Sequence, residues 1–144
     1  MHGLIDNLEI KYVNAPVSAA SNTDDNSTII DMEGYESVLF VVSITDSAAT
    51  GVAALTLQDN TADSDSGMAA VTGGAATVTC AINDDVNGTV LAVEYRKGAK
   101  RYVQAVLTSA TANIAFGDTI AILKPLRTPA SQGATVSDTA YVSG

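Results

Sequence analysis

The residues that most often carry catalysis are few in this chain, and their spacing fits no familiar catalytic arrangement. There is one histidine, His2, directly after Met1, and one cysteine, Cys80. Catalysis by a serine or cysteine nucleophile needs a histidine that a rigid scaffold holds against it. Because no predicted helix or strand holds His2, we expect neither a Ser-His-Asp nor a Cys-His site.

Paired carboxylates are the other residues that could do acid-base chemistry. They occur at Asp24-Asp25, at Asp63 with Asp65, and at Asp84-Asp85, all in predicted loops. A glycosidase needs two carboxylates at a fixed separation, usually beside aromatic side chains that stack on the sugar. The chain has five tyrosines, two phenylalanines and no tryptophan. We therefore expect that it is not an enzyme.

The segment Asp63-Ser64-Asp65-Ser66-Gly67 resembles the start of a calcium-binding loop. Its glycine comes one residue early, and the position of the bidentate glutamate is occupied by Gly74. We predict a solvated turn here, with a weak surface calcium site as the alternative. No phosphate-binding glycine motif, zinc-protease motif or Cys-x-x-Cys pair occurs, so we expect no metal and no cofactor.

Cys80 lies in the apolar alternation Ala76-Val78-Cys80-Ile82. This pattern predicts a small buried hydrophobic side chain. The alternative, a reactive thiol, needs a helix N-terminus or a cationic neighbour, and the local sequence offers neither.

The formal net charge is −9, and it is unevenly distributed along the chain. Residues 1–94 carry fourteen acids and one base, Lys11, whereas residues 95–144 carry two acids and six bases. Nucleic-acid binders present a basic face, so we predict no nucleic-acid partner. Surfaces of opposite sign are typical of a protein that docks on a partner or on its own copies. Alternatively, the fold intermixes the two parts of the chain in space.

Strand patterns recur along the chain, whereas a helical pattern of period 3.6 does not. Val38–Ile44 is a nearly continuous apolar run, which predicts a fully buried strand. Alternating patterns predict further strands over residues 53–58, 75–82, 89–95, 101–108 and 112–123, the last with a bend or bulge at Gly117-Asp118. The sequence predicts an all-β fold, a single antiparallel β-sandwich or jelly-roll-like domain of about seven to eight short strands with extended terminal arms.

The two ends differ in composition from the middle of the chain. We divide it into an N-terminal arm or first strand (residues 1–30), a β-sandwich core (31–127) and a C-terminal tail (128–144). Residues 13–28 are rich in Ser, Ala, Asn and Asp, and this composition cannot by itself offset the entropy of ordering. Each end is therefore either disordered or an arm that orders on a partner.

Two groups of residues are candidates for partner binding. The apolar group consists of Leu4, Ile5 and Leu8 near the N-terminus. The basic group consists of Arg96, Lys97, Lys100 and Arg101 in a predicted hairpin, together with Lys124 and Arg127 just after the last predicted strand. We predict a docking patch for an acidic protein surface here, with an ordinary solvated loop as the alternative.

Two features bear on location. No apolar run approaches the roughly 20 residues that cross a bilayer, so we expect no membrane partner. The first six residues lack the basic and apolar regions of a signal peptide. We expect a protein that is made and kept in a cytoplasm, or that leaves it as part of an assembly.

The segment Gly34–Val42 resembles the strand opening of small structural proteins in the head-gene modules of tailed bacteriophages and prophages. In those proteins, as here, a strand like Ala92–Arg96 precedes a basic turn and a strand like Arg101–Val106. A final apolar strand then runs into a proline-containing segment, here Ile120–Pro125 followed by Pro129–Gln132. The resemblance covers residues 34–133.

This resemblance implies a head decoration, or cement, protein, made in the host cytoplasm and located on the capsid exterior of the virion. Such proteins are commonly homotrimers that clamp neighbouring major capsid proteins, so the implied partners are the major capsid protein and further copies of the chain. A minor tail or neck protein is the alternative within this group. A carbohydrate- or cell-surface-binding β-sandwich is the alternative from another class.

Overall fold

The fold is a sandwich of two antiparallel β-sheets, seen in a computed structural model that describes residues 3–143. Met1, His2 and Gly144 lie outside the described residues, so the expectation that His2 belongs to no catalytic arrangement also lies outside them. One short helix, α1 (Leu4–Asn7), precedes the strands. The strands are β1 (Glu9–Asn14), β2 (Val17–Ala20), β3 (Asp24–Asn26), β4 (Ile30–Asp31), β5 (Tyr35–Ser47), β6 (Val52–Asn60), β7 (Ala69–Thr79), β8 (Val90–Arg96), β9 (Tyr102–Ala110) and β10 (Ile114–Pro125).

Each sheet combines strands from the first 31 residues with strands from the second half of the chain. The first sheet has the order β1-β10-β5-β8, and β2 also pairs with β10. The second sheet has the order β3-β9-β6-β7, and β4 also pairs with β9. The all-β sandwich predicted from the sequence is confirmed.

The core lies between the sheets and is formed by alternate residues of the long strands. On β5, Phe40 and Ile44 are fully buried and face the second sheet, from which Leu55 and Leu57 of β6 contribute. Val41, between them in sequence, points to the outside and is only half-buried. The expectation that this strand is fully buried is therefore wrong for its outward side, where Leu39, Val41 and Ser43 are only partly buried.

The long strands lie close to the predicted ranges, with one shift. β7 begins at Ala69 and ends at Thr79, so Cys80 and Ile82 follow the strand. Cys80 is still only 1% exposed, which confirms the buried thiol, and its Sγ donates to the carbonyl of Ile82 at 2.8 Å. The Ile82 side chain is exposed. The predicted irregularity at Gly117-Asp118 is confirmed, because the pairing of β10 with β5 shifts register between Phe116 and Thr119.

The segment assigned above to an N-terminal arm or first strand contributes four strands, two to each sheet. Its polar part is ordered by main-chain pairing, as in Asp25 opposite Leu107 of β9. A side-chain bond from Asn14 Nδ2 to Asp25 Oδ2 links the parts of this segment that lie in different sheets. The N-terminal segment therefore joins the two layers of the sandwich.

The C-terminal tail lies along the outer edge of β1 as an extended strap. Gln132 Oε1 accepts from the Ile10 amide at 2.9 Å, and Thr135 Oγ1 accepts from the Tyr12 amide at 3.3 Å. Gln132 Nε2 donates in turn to the carbonyl of Leu8 at 2.6 Å. Open strand edges promote association, and the strap satisfies the amides of this edge with side chains.

Over residues 3–143, no helix is both long enough and apolar enough to cross a membrane.

Candidate protein-binding surface

The basic turn between β8 and β9 crosses from one sheet to the other. β8 pairs with β5 in the first sheet, and β9 pairs with β6 in the second. The predicted hairpin is therefore wrong. Strands that follow one another in sequence usually pair, but this turn leads the chain over the end of the sandwich. The Lys97 amide in the turn donates to the carbonyl of Glu36 at 2.9 Å.

The last two bases of this turn, Lys100 and Arg101, are paired with acids from the first part of the chain. Arg101 makes two bonds of 2.7 Å to the carboxylate of Asp31 and also contacts Glu33. Lys100 Nζ lies 2.7 Å from Asp59 Oδ1. These two bases therefore face carboxylates of their own chain.

Arg96 and Lys124 converge on a different carboxylate, that of Glu36. Lys124 Nζ lies 2.8 Å from it and Arg96 Nη2 lies 3.9 Å from it. Together with Glu94 these side chains line one shallow groove on the outside of the first sheet. Each of these ion pairs joins the acidic and the basic part of the sequence, so the fold intermixes the two charges in space, as the alternative interpretation anticipated.

The two remaining predicted bases are Lys97 and Arg127. Lys97 is exposed in the turn between the sheets. Arg127 lines a cavity of about 530 Å³ between the C-terminal strap and β5, with Glu9 and Tyr35 on its walls. Of the six bases, Arg96 and Lys124 line one groove, whereas Arg127 lines a separate cavity.

The apolar candidates Leu4, Ile5 and Leu8 do come together. They line an apolar groove of about 180 Å³, closed on the sheet side by Ile10 and Ile122. The Leu4 side chain is 78% exposed. We call these five residues the N-terminal patch. The composition of the first twelve residues could have indicated Ile10, whereas Ile122 joins the patch only through the pairing of β1 with β10.

The N-terminal patch continues into the charged groove. Leu8 and Ile122 share a second groove with Leu39, Glu94 and Lys124. An apolar centre bordered by paired charges is the usual composition of a protein interface. Among the predicted partner-binding residues, this surface unites Leu4, Ile5, Leu8, Lys124 and Arg96.

The segment that resembles a calcium loop is held by amide groups. Asp65 Oδ1 accepts from Gln104 Nε2 at 2.8 Å and from Asn26 Nδ2 at 3.0 Å. Asn60 Nδ2 donates to the carbonyls of Ser64 and Ser66. Over residues 3–143, no group of three or more His, Cys, Asp or Glu side chains is placed to hold a metal ion.

Three pKa shifts describe the electrostatics around these elements. The hydrogen bonds from Arg101 lower the pKa of Asp31 from 3.8 to about 2. Burial, followed by the hydrogen bond to Glu9, raises the pKa of Tyr35 to about 12. Burial also raises the pKa of the Cys80 thiol, which favours its neutral form.

Comparison with known proteins gives similarity to solved structures only. No family model matches the sequence, and the comparison with curated proteins gives no significant match. The SPBc2 prophage-derived protein YomS is 7% identical at a TM-score of 0.44, over 81% of this chain and 92% of that one. A structure described as "CBM4 structure and function" is 11% identical at a TM-score of 0.44, over 84% and 88% of the two chains. The enzymatically active domain of tailspike protein 4 of bacteriophage CBA120 is 13% identical at a TM-score of 0.36, over 83% and 20%. Similarity at this level carries no information about function.

Proposed function

We propose that this chain is a structural protein of a tailed-phage virion that binds the outside of the capsid and stabilises contacts between major capsid proteins. The observation that carries the proposal is the N-terminal patch with its charged border. It offers a partner an apolar groove between α1 and the first sheet, next to the ion pairs of Glu36 with Arg96 and Lys124.

The mechanism is preferential binding to the assembled shell. A protein that binds the closed lattice and not its separated parts stabilises the lattice by mass action, by about 2.7 kcal/mol per site at a free concentration one hundred times the dissociation constant. Burial of the exposed Leu4 and half-buried Leu8 side chains supplies the apolar contribution. The border of paired charges fixes the orientation of the protein on the capsid, because a misplaced orientation would bring like charges together across the interface.

The test is a sedimentation assay with purified expanded capsids that lack this protein. Leu4→Asp with Leu8→Ser should weaken binding at least tenfold, since the first change places a charge in the apolar groove. Ile82→Asp is the matched control, because Ile82 is another exposed large apolar residue, 68% exposed, but lies after β7 outside the patch.

Circular dichroism of both variants should match that of the original chain. Equal capsid binding by the patch variant and the control would contradict the proposal. Loss of binding only in the patch variant would support it.

A further inference from the structure

Over residues 3–143, the two sheets have four outer edges, and three of them are protected. The C-terminal strap satisfies the amides of the β1 edge. β8 carries the exposed charged side chains of Glu94 and Arg96. The remaining edge strands β2, β3 and β4 are only four, three and two residues long. Covers, charges and very short strands are the usual features that keep a sheet edge from pairing with another chain.

The fourth edge is β7, and its second part lacks these features. A bulge interrupts the pairing of β7 with β6 between Thr56 and Gln58, and bulges also protect an edge. From Ala75 to Thr79 the register on β6 is unbroken. This segment has no charged residue and no proline. Within the part of the chain that the structure describes, no strand pairs with its outer side. We call the segment 75–79 the β7 edge.

The main-chain groups of the β7 edge alternate between β6 and the outside. The Cys80 amide, directly after the strand, donates to the carbonyl of Gly51 at 2.8 Å, on the side of β6. Successive residues of a strand direct their N–H and C=O groups to opposite sides, so those of Thr79, Thr77 and Ala75 point away from β6. All three residues are exposed. An incoming strand therefore meets accessible donors and acceptors at the spacing of a sheet ladder.

Carboxylates gather where the β7 edge ends. Asp84 and Asp85 lie in the turn that follows Cys80, and the Asp84 amide donates to the carbonyl of Ser47, next to Asp46. These three aspartates are exposed, and within residues 3–143 none of them forms an ion pair. Charge therefore favours a partner with basic residues at this end, whereas a second copy of the chain would bring a net charge of −9.

We propose that the β7 edge binds an extended segment of another protein by strand addition. The segment runs antiparallel to β7, because antiparallel pairing is the more stable arrangement per residue. Its start then lies opposite Thr79, so its lysine or arginine residues precede the added strand and face the three aspartates. Main-chain bonds supply the affinity, and the exposed threonines of β7 favour β-branched neighbours. The β7 edge belongs to the second sheet, whereas the N-terminal patch lies at the first, so this proposal does not depend on the proposed capsid role.

The test uses the purified full chain and a synthetic peptide of two lysines followed by Thr-Val-Thr-Val-Thr. NMR titration should show saturable binding with a dissociation constant below about 1 mM. At saturating peptide, hydrogen exchange at the Ala75, Thr77 and Thr79 amides should slow several-fold. A peptide with two glutamates in place of the lysines should bind at least tenfold more weakly. A lysine peptide that carries N-methyl groups on the amides facing β7 should not bind, and this comparison needs no protein variant.

A proline in the β7 edge tests the same contact from the side of the protein. Thr77→Pro removes one outward N–H donor and leaves the bonds to β6 in place, so it should weaken peptide binding at least tenfold. Ala92→Pro is the matched control. Ala92 is exposed on edge strand β8, and its amide also points away from the paired strand, because the Lys97 amide is bonded to β5.

Binding of the lysine peptide that is lost on N-methylation and in Thr77→Pro, but kept in Ala92→Pro, would support the proposal. Absence of saturable binding, equal binding of the N-methylated or the glutamate peptide, or equal binding by Thr77→Pro and the original chain would overturn it. The Leu4→Asp, Leu8→Ser variant should bind the peptide as the original chain does, so failure of strand addition and failure of capsid binding are measured separately.

Discussion

Arg101 and Asp31 form a bidentate ion pair, with Nε to Oδ1 and Nη2 to Oδ2 both at 2.7 Å. The two residues are 70 positions apart in the sequence. Asp31 belongs to β4, which pairs with β9 directly after Arg101. The pair therefore holds the N-terminal segment on the second sheet, at the point where the chain enters that sheet from β8 of the first sheet.

This ion pair makes stability depend on pH in acid. The pKa of Asp31 is about 2 in the folded chain, below its usual 3.8. The folded state thus binds fewer protons, and the contribution is fully present above pH 3.8 and lost as the pH falls towards 2. Arg101→Gln should lower the urea midpoint at pH 7, and the difference from the original chain should be much smaller at pH 2, where Asp31 is about half protonated.

Arg96→Gln is the control for this prediction, because the Arg96 side chain is 82% exposed and lies 3.9 Å from Glu36. It should leave the urea midpoint nearly unchanged, as is usual for loose surface pairs. A difference for Arg101→Gln that is as large at pH 2 as at pH 7 would show that the guanidinium acts through packing.

Thr119 carries a buried hydroxyl without a hydrogen-bond partner in the described part of the chain. An unsatisfied buried hydroxyl opposes folding, so Thr119→Val, of nearly the same shape, should be neutral or raise the free energy of unfolding by about 1 kcal/mol. Thermal and urea unfolding measure this change. Thr77→Val on the exposed side of β7 is the control. If Thr119→Val instead lowers the free energy of unfolding by more than about 1 kcal/mol, the hydroxyl binds a water in the folded chain.

Gln132 is expected to protect the edge of β1. Gln132→Ala removes the acceptor of the Ile10 amide and the donor to the Leu8 carbonyl. Hydrogen exchange at the Ile10 and Tyr12 amides should accelerate at least tenfold, while amides of β5 stay protected. Ser131→Ala, one residue earlier on the strap, is the control and should leave all of these exchange rates unchanged. If the Ile10 and Tyr12 amides of the Gln132→Ala variant exchange as slowly as those of the original chain, the strap does not order this edge.

Asp65 is expected to order the loop between β6 and β7. Asp65→Ala removes the shared acceptor of Gln104 and Asn26 and should make residues 61–68 cleavable by limited proteolysis. Asp63→Ala is the control and should stay resistant. If millimolar calcium protects this loop or raises the melting temperature, the alternative of a calcium site in this segment gains support instead.

The sequence was sufficient to predict the fold class and the approximate ranges of the long strands. Phe40 lies in the predicted apolar run Val38–Ile44, and Leu55 and Leu107 lie in the predicted strands 53–58 and 101–108; all three are buried. Alternation does not specify which strands pair. Adjacent strands usually form hairpins, yet β8 and β9 lie in different sheets.

The pairs that settle this arrangement join distant positions, such as Lys100 with Asp59 and Arg101 with Asp31. For the same reason the sequence indicated Leu4, Ile5 and Leu8 as apolar candidates but not Ile122, which reaches them only through the register of β1 on β10. Composition also could not predict that the polar segment Asp24–Asn26 is an ordered strand, because its order comes from main-chain bonds to β9.

The most direct test of the proposed capsid role is titration of the full chain onto purified expanded capsids, followed by thermal disruption of the shells. We predict saturable binding and a disruption temperature that rises with the concentration of free protein. The Leu4→Asp, Leu8→Ser variant should give no such rise at the concentrations that saturate the original chain. Absence of saturable binding by the original chain, or bound protein that leaves the disruption temperature unchanged, would contradict the account.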